Sequence, residues 1–350
     1  MHIQDGILSP AVCLGTGILA GGALAFSLKK LNDSPSLRAV PLTGMMAALV
    51  FAGQMVNFPI GVLCSGHLLG GVLASIILGP WGGCVAMALV LFVQMALFAD
   101  GGRLSYGANV LNMGVVGALG GYAIYAAIRR IKPGPIGVLV GGVVAAWISV
   151  LAGSSLFCVE FTLSHADALL AKTEGVKFDL GQIVSLMTTF HSLIGIGEAL
   201  ITGLVLSAVL AARPDLVYEP EQPAGAVAAT GSALWGGLIA ALAAAAFLAP
   251  FKSELSDGLE AVAERAGFNT LGIESSAWWL SDYELPIPGT PPESGFWKKA
   301  SVSLAGLAGT TSVFVMAYLF SLAWKRRMVA AGLIVATGSS PLSPGDPHGS

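Results

Sequence analysis

Apolar positions along this chain fall in long unbroken runs, about 11–28, 42–57, 104–127, 135–158 and 181–211, and then 232–250 and 300–324. A helix crosses a bilayer with about 20 mostly apolar residues, so these runs predict spanning helices. Two shorter runs, 68–78 and 82–98, flank Gly79-Pro80-Trp81-Gly82-Gly83. They predict a tight helical hairpin whose first arm stops short of a full crossing. The expectation is an all-α integral membrane protein with nine spans. Polar interruptions divide it into a seven-span bundle over 1–213, a linker over 214–231, a two-span unit over 232–327 with a loop at 251–299, and a tail over 328–350. The linker carries Pro214, Pro220 and Pro223 among small residues, and the tail is too poor in apolar groups to build a core, which predicts disorder there.

Composition agrees, with 55% of the 350 residues hydrophobic and 11% charged. A net charge of −3, without any long run of Lys or Arg, gives no footprint for nucleic acid. The short-loop cations gather as Lys29, Lys30 and Arg38, then Arg129, Arg130 and Lys132, then Arg213, then Lys325, Arg326 and Arg327. With nine spans all four groups lie on one side, which predicts an outer amino terminus and a cytoplasmic carboxyl terminus. Cys13, Cys64, Cys84 and Cys158 are isolated, with no Cys-x-x-Cys pair, and are expected to be packing residues. No basic, cleavable leader pattern precedes the first run, so Met1 is expected to keep its free amine.

That amine matters because His2 follows it. The Met1 amine, the His2 amide nitrogen and the His2 imidazole form fused five- and six-membered rings around one cation. His67, in Cys64-Ser65-Gly66-His67-Leu68-Leu69-Gly70-Gly71, is expected on the same outer side. Its nitrogen would close a planar N4 set, a geometry suited to Ni(II) or Cu(II) rather than tetrahedral zinc. A lone loop histidine is ordinarily a polar cap, so the weight rests on the combination. His191 and Glu198 share one helix face inside a span, where ionisable groups are costly; a hydrogen-bonding role around the site is the favoured expectation for them. Asn109, Asn112 and Met113 either line the pocket or hold helices together. His165, beside Ser164, Asp167 and Glu174, is expected in solvent. The 251–299 loop has an amphipathic stretch from Leu255 to Ala266 and aromatic Trp278, Trp279 and Tyr283, fitting either a cover over the metal face or an anchor at the membrane surface. No phosphate-binding Gly-x-x-x-x-Gly-Lys motif and no His-Glu-x-x-His motif occur, so neither ATP hydrolysis nor zinc-peptidase chemistry is expected.

Met1-His2-Ile3-Gln4-Asp5-Gly6-Ile7-Leu8-Ser9-Pro10, Ser65-Gly66-His67-Leu68-Leu69-Gly70-Gly71, Gly107-Ala108-Asn109-Val110-Leu111-Asn112-Met113-Gly114 and His191-Ser192-Leu193-Ile194-Gly195-Ile196-Gly197-Glu198 together resemble the NikM/CbiM family. These are substrate-binding membrane subunits of energy-coupling factor transporters for nickel and cobalt. Ser256-Asp257-Gly258-Leu259-Glu260 resembles the Pro-Asp-Gly-Leu-Glu segment of the small accessory subunit, with Ser256 in place of Pro, so the chain resembles a fused NikMN arrangement. Gln4 stands where Pro is common, and Cys64 where Thr is common. The resemblance implies a non-enzymatic S component with an extra amino-terminal helix in a bacterial or archaeal cytoplasmic membrane. It also implies metal donors at Met1, His2 and His67, with Ser65, Asn109, Asn112, His191 and Glu198 around them. The implied substrate is Ni(II), with Co(II) as the alternative; the implied partners are a coupling subunit of NikQ/CbiQ type and an ATPase of NikO/CbiO type. An ion-coupled carrier working alone is a weaker alternative, since only His191 and Glu198 stand out as intramembrane relay groups.

Overall fold

The computed structural model describes residues 2–33, 39–166, 178–219, 231–273, 280–285 and 295–330. Met1, Arg38, Asp167, Glu174, Trp278, Trp279, the 220–230 part of the linker and the tail beyond 330 lie outside these described residues.

The apolar runs are helices: α1 (Pro10–Asp33), α2 (Ala39–Met55), α3 (Gly71–Phe98), α4 (Tyr106–Ile131), α5 (Pro135–Ser164), α6 (Leu180–Ala212), α7 (Leu234–Phe251) and α9 (Gly295–Ala330), with a short surface helix α8 (Gly258–Ala266) between the last two. Among the described residues seven helices are long and apolar enough to cross a membrane, and α2 is a shorter apolar helix. Their outward faces carry Leu14, Ile18, Leu19, Leu200, Leu204 and Phe247, all exposed. So much bare hydrocarbon is unfavourable in water and matches a lipid surround.

α3 is two arms. The chain turns at Gly79, whose φ of 78° and ψ of 163° suit glycine alone, and Pro80 starts the second arm. A Cβ on Gly83 would lie 2.7 Å from the Ser75 Cα, so the arms are in backbone contact across the turn. This is the expected hairpin, and the nine-residue first arm, about 13 Å long, is too short to cross alone.

α4 is wound wide over Val110–Gly120, where the first arm of α3 presses in: a Cβ on Gly71 would meet the Met113 carbonyl oxygen at 3.0 Å. α2 lies between α3 and the α7/α9 pair. Small residues set those crossings, with Gly44 against Phe314, Gly237 against Met45, and Gly309 against Phe51 and Phe98.

The loops sort to two ends. At one, Gly102 N–H donates to the Ile3 carbonyl, Ile273 N–H to Asp5, Ser65 N–H to Ser256 and Ser253 N–H to Asn57. At the other, Arg129 pairs with Glu219, and Tyr218 N–H donates to the Ile76 carbonyl at 2.8 Å. Leu216 and Val217 are buried there, so residues 214–219 pack under α3 before the chain reaches α7. The amino terminus and the 58–67, 99–105, 252–273 and 280–285 segments share the first end. The Lys and Arg groups at Lys29, Arg129, Arg213 and Lys325 lie in the last turns of their helices or just beyond, at the opposite end.

Candidate metal centre

Residues 2–9 are pinned across the first end of the bundle. Ile3, fully buried, donates its N–H to Asn109 Oδ1 at 2.8 Å and accepts at its carbonyl from Asn109 Nδ2 at 3.0 Å. The Asp5 carboxylate accepts the N–H groups of Arg103, Leu104 and Ser105 at 3.0, 2.8 and 3.1 Å, just ahead of α4. Asn109 thus holds the backbone beside His2 at two points, which is why a carboxamide, donor and acceptor in one plane, suits the position. Asn109→Ala forfeits two buried bonds worth about 1 kcal/mol each, and the expected consequence is roughly 10–100-fold weaker metal binding, measured by competition titration.

His67 enters from a two-strand hairpin, β1 (Phe58–Ile60) and β2 (Cys64–Gly66), paired Phe58 to Gly66. Immediately after it, the Leu69 and Gly70 N–H groups donate to the two oxygens of Glu198, at 2.5 and 2.9 Å. These are orphan donors at the start of α3, and a carboxylate there also faces the positive end of the helix dipole. Glu198 therefore anchors the loop carrying His67. The His67 Nδ1–H donates to the Leu68 carbonyl at 3.0 Å, which makes Nε2 the acceptor nitrogen of the ring. The His2 and His67 rings stack, with centroids 5.4 Å apart and planes 18° apart.

A third element closes the site. Ser65 Oγ donates to the Leu255 carbonyl at 2.7 Å, and the Ser65 N–H binds Ser256, aligning residues 255–257 along β2. Asp257 caps α8 in a capping box with Glu260. One donor atom each from His2, His67 and Asp257 lies within 4.8 Å of the others. His191 packs against this segment: a Cβ on Gly258 would meet Ile194 Cδ1 at 2.5 Å and the His191 ring at 3.2 Å, an approach that glycine admits. Its Nδ1–H donates to the Met187 carbonyl at 3.0 Å.

Burial lowers the His2 ring below the ordinary histidine range and His67 well below it, so both are neutral at pH 7, the form that ligates. Burial works against the ionised Asp257 carboxyl, yet it stays below the usual carboxylate range, with the Glu260 N–H donating to it. Burial pushes the Cys64 thiol up to about 11, so it is a neutral packing group, as expected.

Several residues stand elsewhere. Asn112 donates to Glu160 Oε2 at 2.9 Å within the helix bundle rather than facing the histidines, and Glu160 is a buried intramembrane carboxyl that the sequence reading passed over. His165 is half-buried rather than a free surface group: its ring centroid lies 4.4 Å from that of Phe161 and its Nε2–H reaches the Ile7 carbonyl at 3.0 Å. Sequence reasoning also missed Asp257, although it quoted the residue within the Ser256-to-Glu260 segment, and it missed Gln94, Asp100 and Tyr283. His2 Nε2 lies 3.2 Å from Gln94 Oε1 and His2 Nδ1 lies 3.1 Å from Asp100 Oδ1.

A family model described as the cobalt uptake substrate-specific transmembrane region, CbiM, matches residues 2–216. The chain belongs to the CbiM family. Over residues 231–326 this CbiM-family chain also matches a PDGLE domain, so the fused arrangement holds. It is 33% identical over 323 residues to an Archaeoglobus fulgidus protein provisionally named a fused nickel transport protein NikMN, covering 91% of this chain and 97% of that one. The fused nickel transport protein NikMN of Rhodobacter capsulatus is 32% identical over 232 residues, 64% of this chain and 66% of that one. The cobalt transport protein CbiM of Geobacter sulfurreducens is 32% identical over 156 residues, 43% of this chain and 45% of that one. A crystal structure of a truncated transition metal transporter aligns with a TM-score of 0.52 at 33% identity, covering 60% of this chain and 99% of that chain.

Proposed function

We propose that this chain is the substrate-binding membrane subunit of an energy-coupling factor transporter that imports Ni(II). The observation that carries the proposal is the convergence of His2 and His67, 65 residues apart, as stacked neutral rings on one end of a membrane bundle. In this account the metal is held in a plane by the Met1 amine, the His2 amide nitrogen, the His2 imidazole and His67. Ser65, Asn109, His191 and Glu198 position the loops around it. The end bearing His2 faces outward, and the Lys and Arg groups at the other end face the cytoplasm.

The chain carries no phosphate-binding loop, so ATP hydrolysis belongs to a NikO/CbiO-type partner acting through a NikQ/CbiQ-type coupling subunit. A carrier working alone would use a relay of ionisable groups through the bilayer. Glu198 holds both oxygens on backbone N–H groups and is a poor relay member. The test is uptake of 63Ni into proteoliposomes. Uptake is expected only when the coupling subunit and ATPase are co-reconstituted and ATP is supplied; ATP-independent uptake by this chain alone would support the secondary carrier instead.

Co(II) is the second candidate, and one feature favours it. Asp257 brings a carboxylate oxygen within 4.8 Å of donor nitrogens of both imidazoles, and an added oxygen suits a metal of higher coordination number. Asp257→Asn discriminates: if cobalt is the cargo, Co(II) binding should weaken by about tenfold or more, while planar Ni(II) binding should change little, both read by equilibrium competition.

A further inference from the structure

The arm of α3 that follows His67 is held from outside at both ends. It runs from Gly71 to the turn at Gly79, roughly two and a half turns. Isolated helices shorter than about 12–15 residues are marginal, so its order comes from its surroundings. At the metal end, the Leu69 and Gly70 N–H groups lie on Glu198. At the other end the helix breaks at Gly79, and the carbonyls of its last turn have no partner within the arm. Residues 71–77 are buried, so water does not serve those carbonyls. The Tyr218 N–H reaches one of them, on Ile76, at 2.8 Å. The Tyr218 ring lies on the turn itself, where a Cβ on Gly79 would stand 2.9 Å from Tyr218 Cε2.

Tyr218 is brought there by a strap, residues 214–219, that leaves α6 and turns back beneath α3. Pro214–Leu216 form a 3-10 turn, with the Leu216 N–H on the Arg213 carbonyl at 3.0 Å and the Arg213 guanidinium forked onto Asp215 at 2.7 Å. Leu216 and Val217 are buried, Tyr122 meets the Tyr218 ring edge-on, and Glu219 pairs with Arg129 in the last turn of α4. Glu219 is 36% exposed, and part-exposed ion pairs hold weakly. The strap is therefore a light attachment to the edge of the bundle, of the kind that opens ahead of the core.

We propose that residues 214–219 are a latch for the metal loop: seated, they complete the arm of α3 and keep His67 in place, and lifted, they let the arm fray and weaken metal binding. Helix formation is cooperative, so an arm this short is ordered or loosened as a unit. That unit begins directly after His67 and Leu68, at the two N–H groups on Glu198. Resting on the metal site and the sidedness proposed above, the latch gives a coupling subunit at the cytoplasmic end a handle on a site at the outer end. Drawing the strap away releases the metal without any contact to it.

The test follows full-length protein in detergent by hydrogen–deuterium exchange, unsubstituted and as Tyr218→Pro. Proline removes the N–H that serves Ile76, and Val217, at φ −64° and ψ 130°, already has the backbone that a following proline requires. In metal-free protein, exchange over 66–78 is expected to be faster in Tyr218→Pro, with α5 and α6 unchanged. Ni(II) binding, read by competition titration, is expected to be roughly fivefold or more weaker, the lower end of coupling between separated sites. Linkage is reciprocal, so Ni(II) added to the unsubstituted protein is expected to slow exchange at the Tyr218 amide. Unchanged exchange over 66–78 in Tyr218→Pro overturns the latch, and so does a Tyr218 amide indifferent to bound Ni(II). Tyr218→Ala keeps the N–H and gives up the ring over Gly79. It is expected to show the same change at smaller size, and it decides by the same criterion if Tyr218→Pro loosens α5 and α6 as well. Unsubstituted protein that binds no Ni(II), while 66–78 still responds to Tyr218→Pro, would remove the nickel site and leave the latch standing.

Discussion

Replacing His67 with Ala is expected to remove tight Ni(II) binding while the bundle stays folded. In the proposed planar set the imidazole supplies the one donor that does not come from the first two residues, and its loss would leave a tridentate chelate with an open edge. Outer-shell partners of metal ligands are worth about 10–100-fold in affinity, so a ligand itself is expected to exceed that range. The fold should tolerate the change because the flanking structure is tied elsewhere: β2 by Ser65 to residues 255–257, and Leu69 and Gly70 by Glu198. Equilibrium dialysis reports the binding and thermal unfolding in detergent reports the fold. A large fall in melting temperature together with lost binding would mean that His67 supports the loop rather than the metal.

Glu198→Ala is expected to reverse that balance. The substitution leaves two buried N–H groups without acceptors at the start of α3, and each such loss costs about 1–3 kcal/mol. Both stability and metal affinity should drop, the second because the loop bearing His67 is released. Glu198→Gln keeps one acceptor oxygen and should fall between Ala and the unsubstituted chain. Melting curves of the three proteins, with and without Ni(II), check the order. Metal binding lost in Glu198→Gln with the melting temperature unchanged would instead point to a direct role for the carboxylate charge.

The spans were legible because the bilayer imposes a length and a polarity on each one, and both are written locally. The Gly79-Pro80 break was legible for the same reason, as a pair of residues that cannot continue a helix. His2 and His67 were singled out by ligand chemistry together with the family resemblance, and the fold brings their rings together. The remainder of the site depends on which loops meet. Asp257 reads from sequence as a helix cap, which it is, and only the pairing of Ser65 with Ser256 brings its carboxylate to the histidines. Tyr283 looks like an aromatic anchor for a membrane surface until the 280–285 segment is placed over Phe98. Asn112 took the helix-joining role left open beside pocket lining, whereas His165 departed from its expected setting. The buried Glu160 lies 48 residues beyond Asn112 and offers no local signal, and the solvent exposure expected of His165 ignored the carbonyl of Ile7 and the ring of Phe161.

The central claim is a planar set of four nitrogens built on the amino terminus, and it is tested most directly by optical and X-ray absorption spectra of the Ni(II)-loaded protein, beside His67→Ala and a variant with one Ala inserted before Met1. The account predicts a yellow, diamagnetic, four-coordinate Ni(II) in the unsubstituted protein and its loss in both variants. A six-coordinate paramagnetic Ni(II), or a planar species that survives either change, would contradict it.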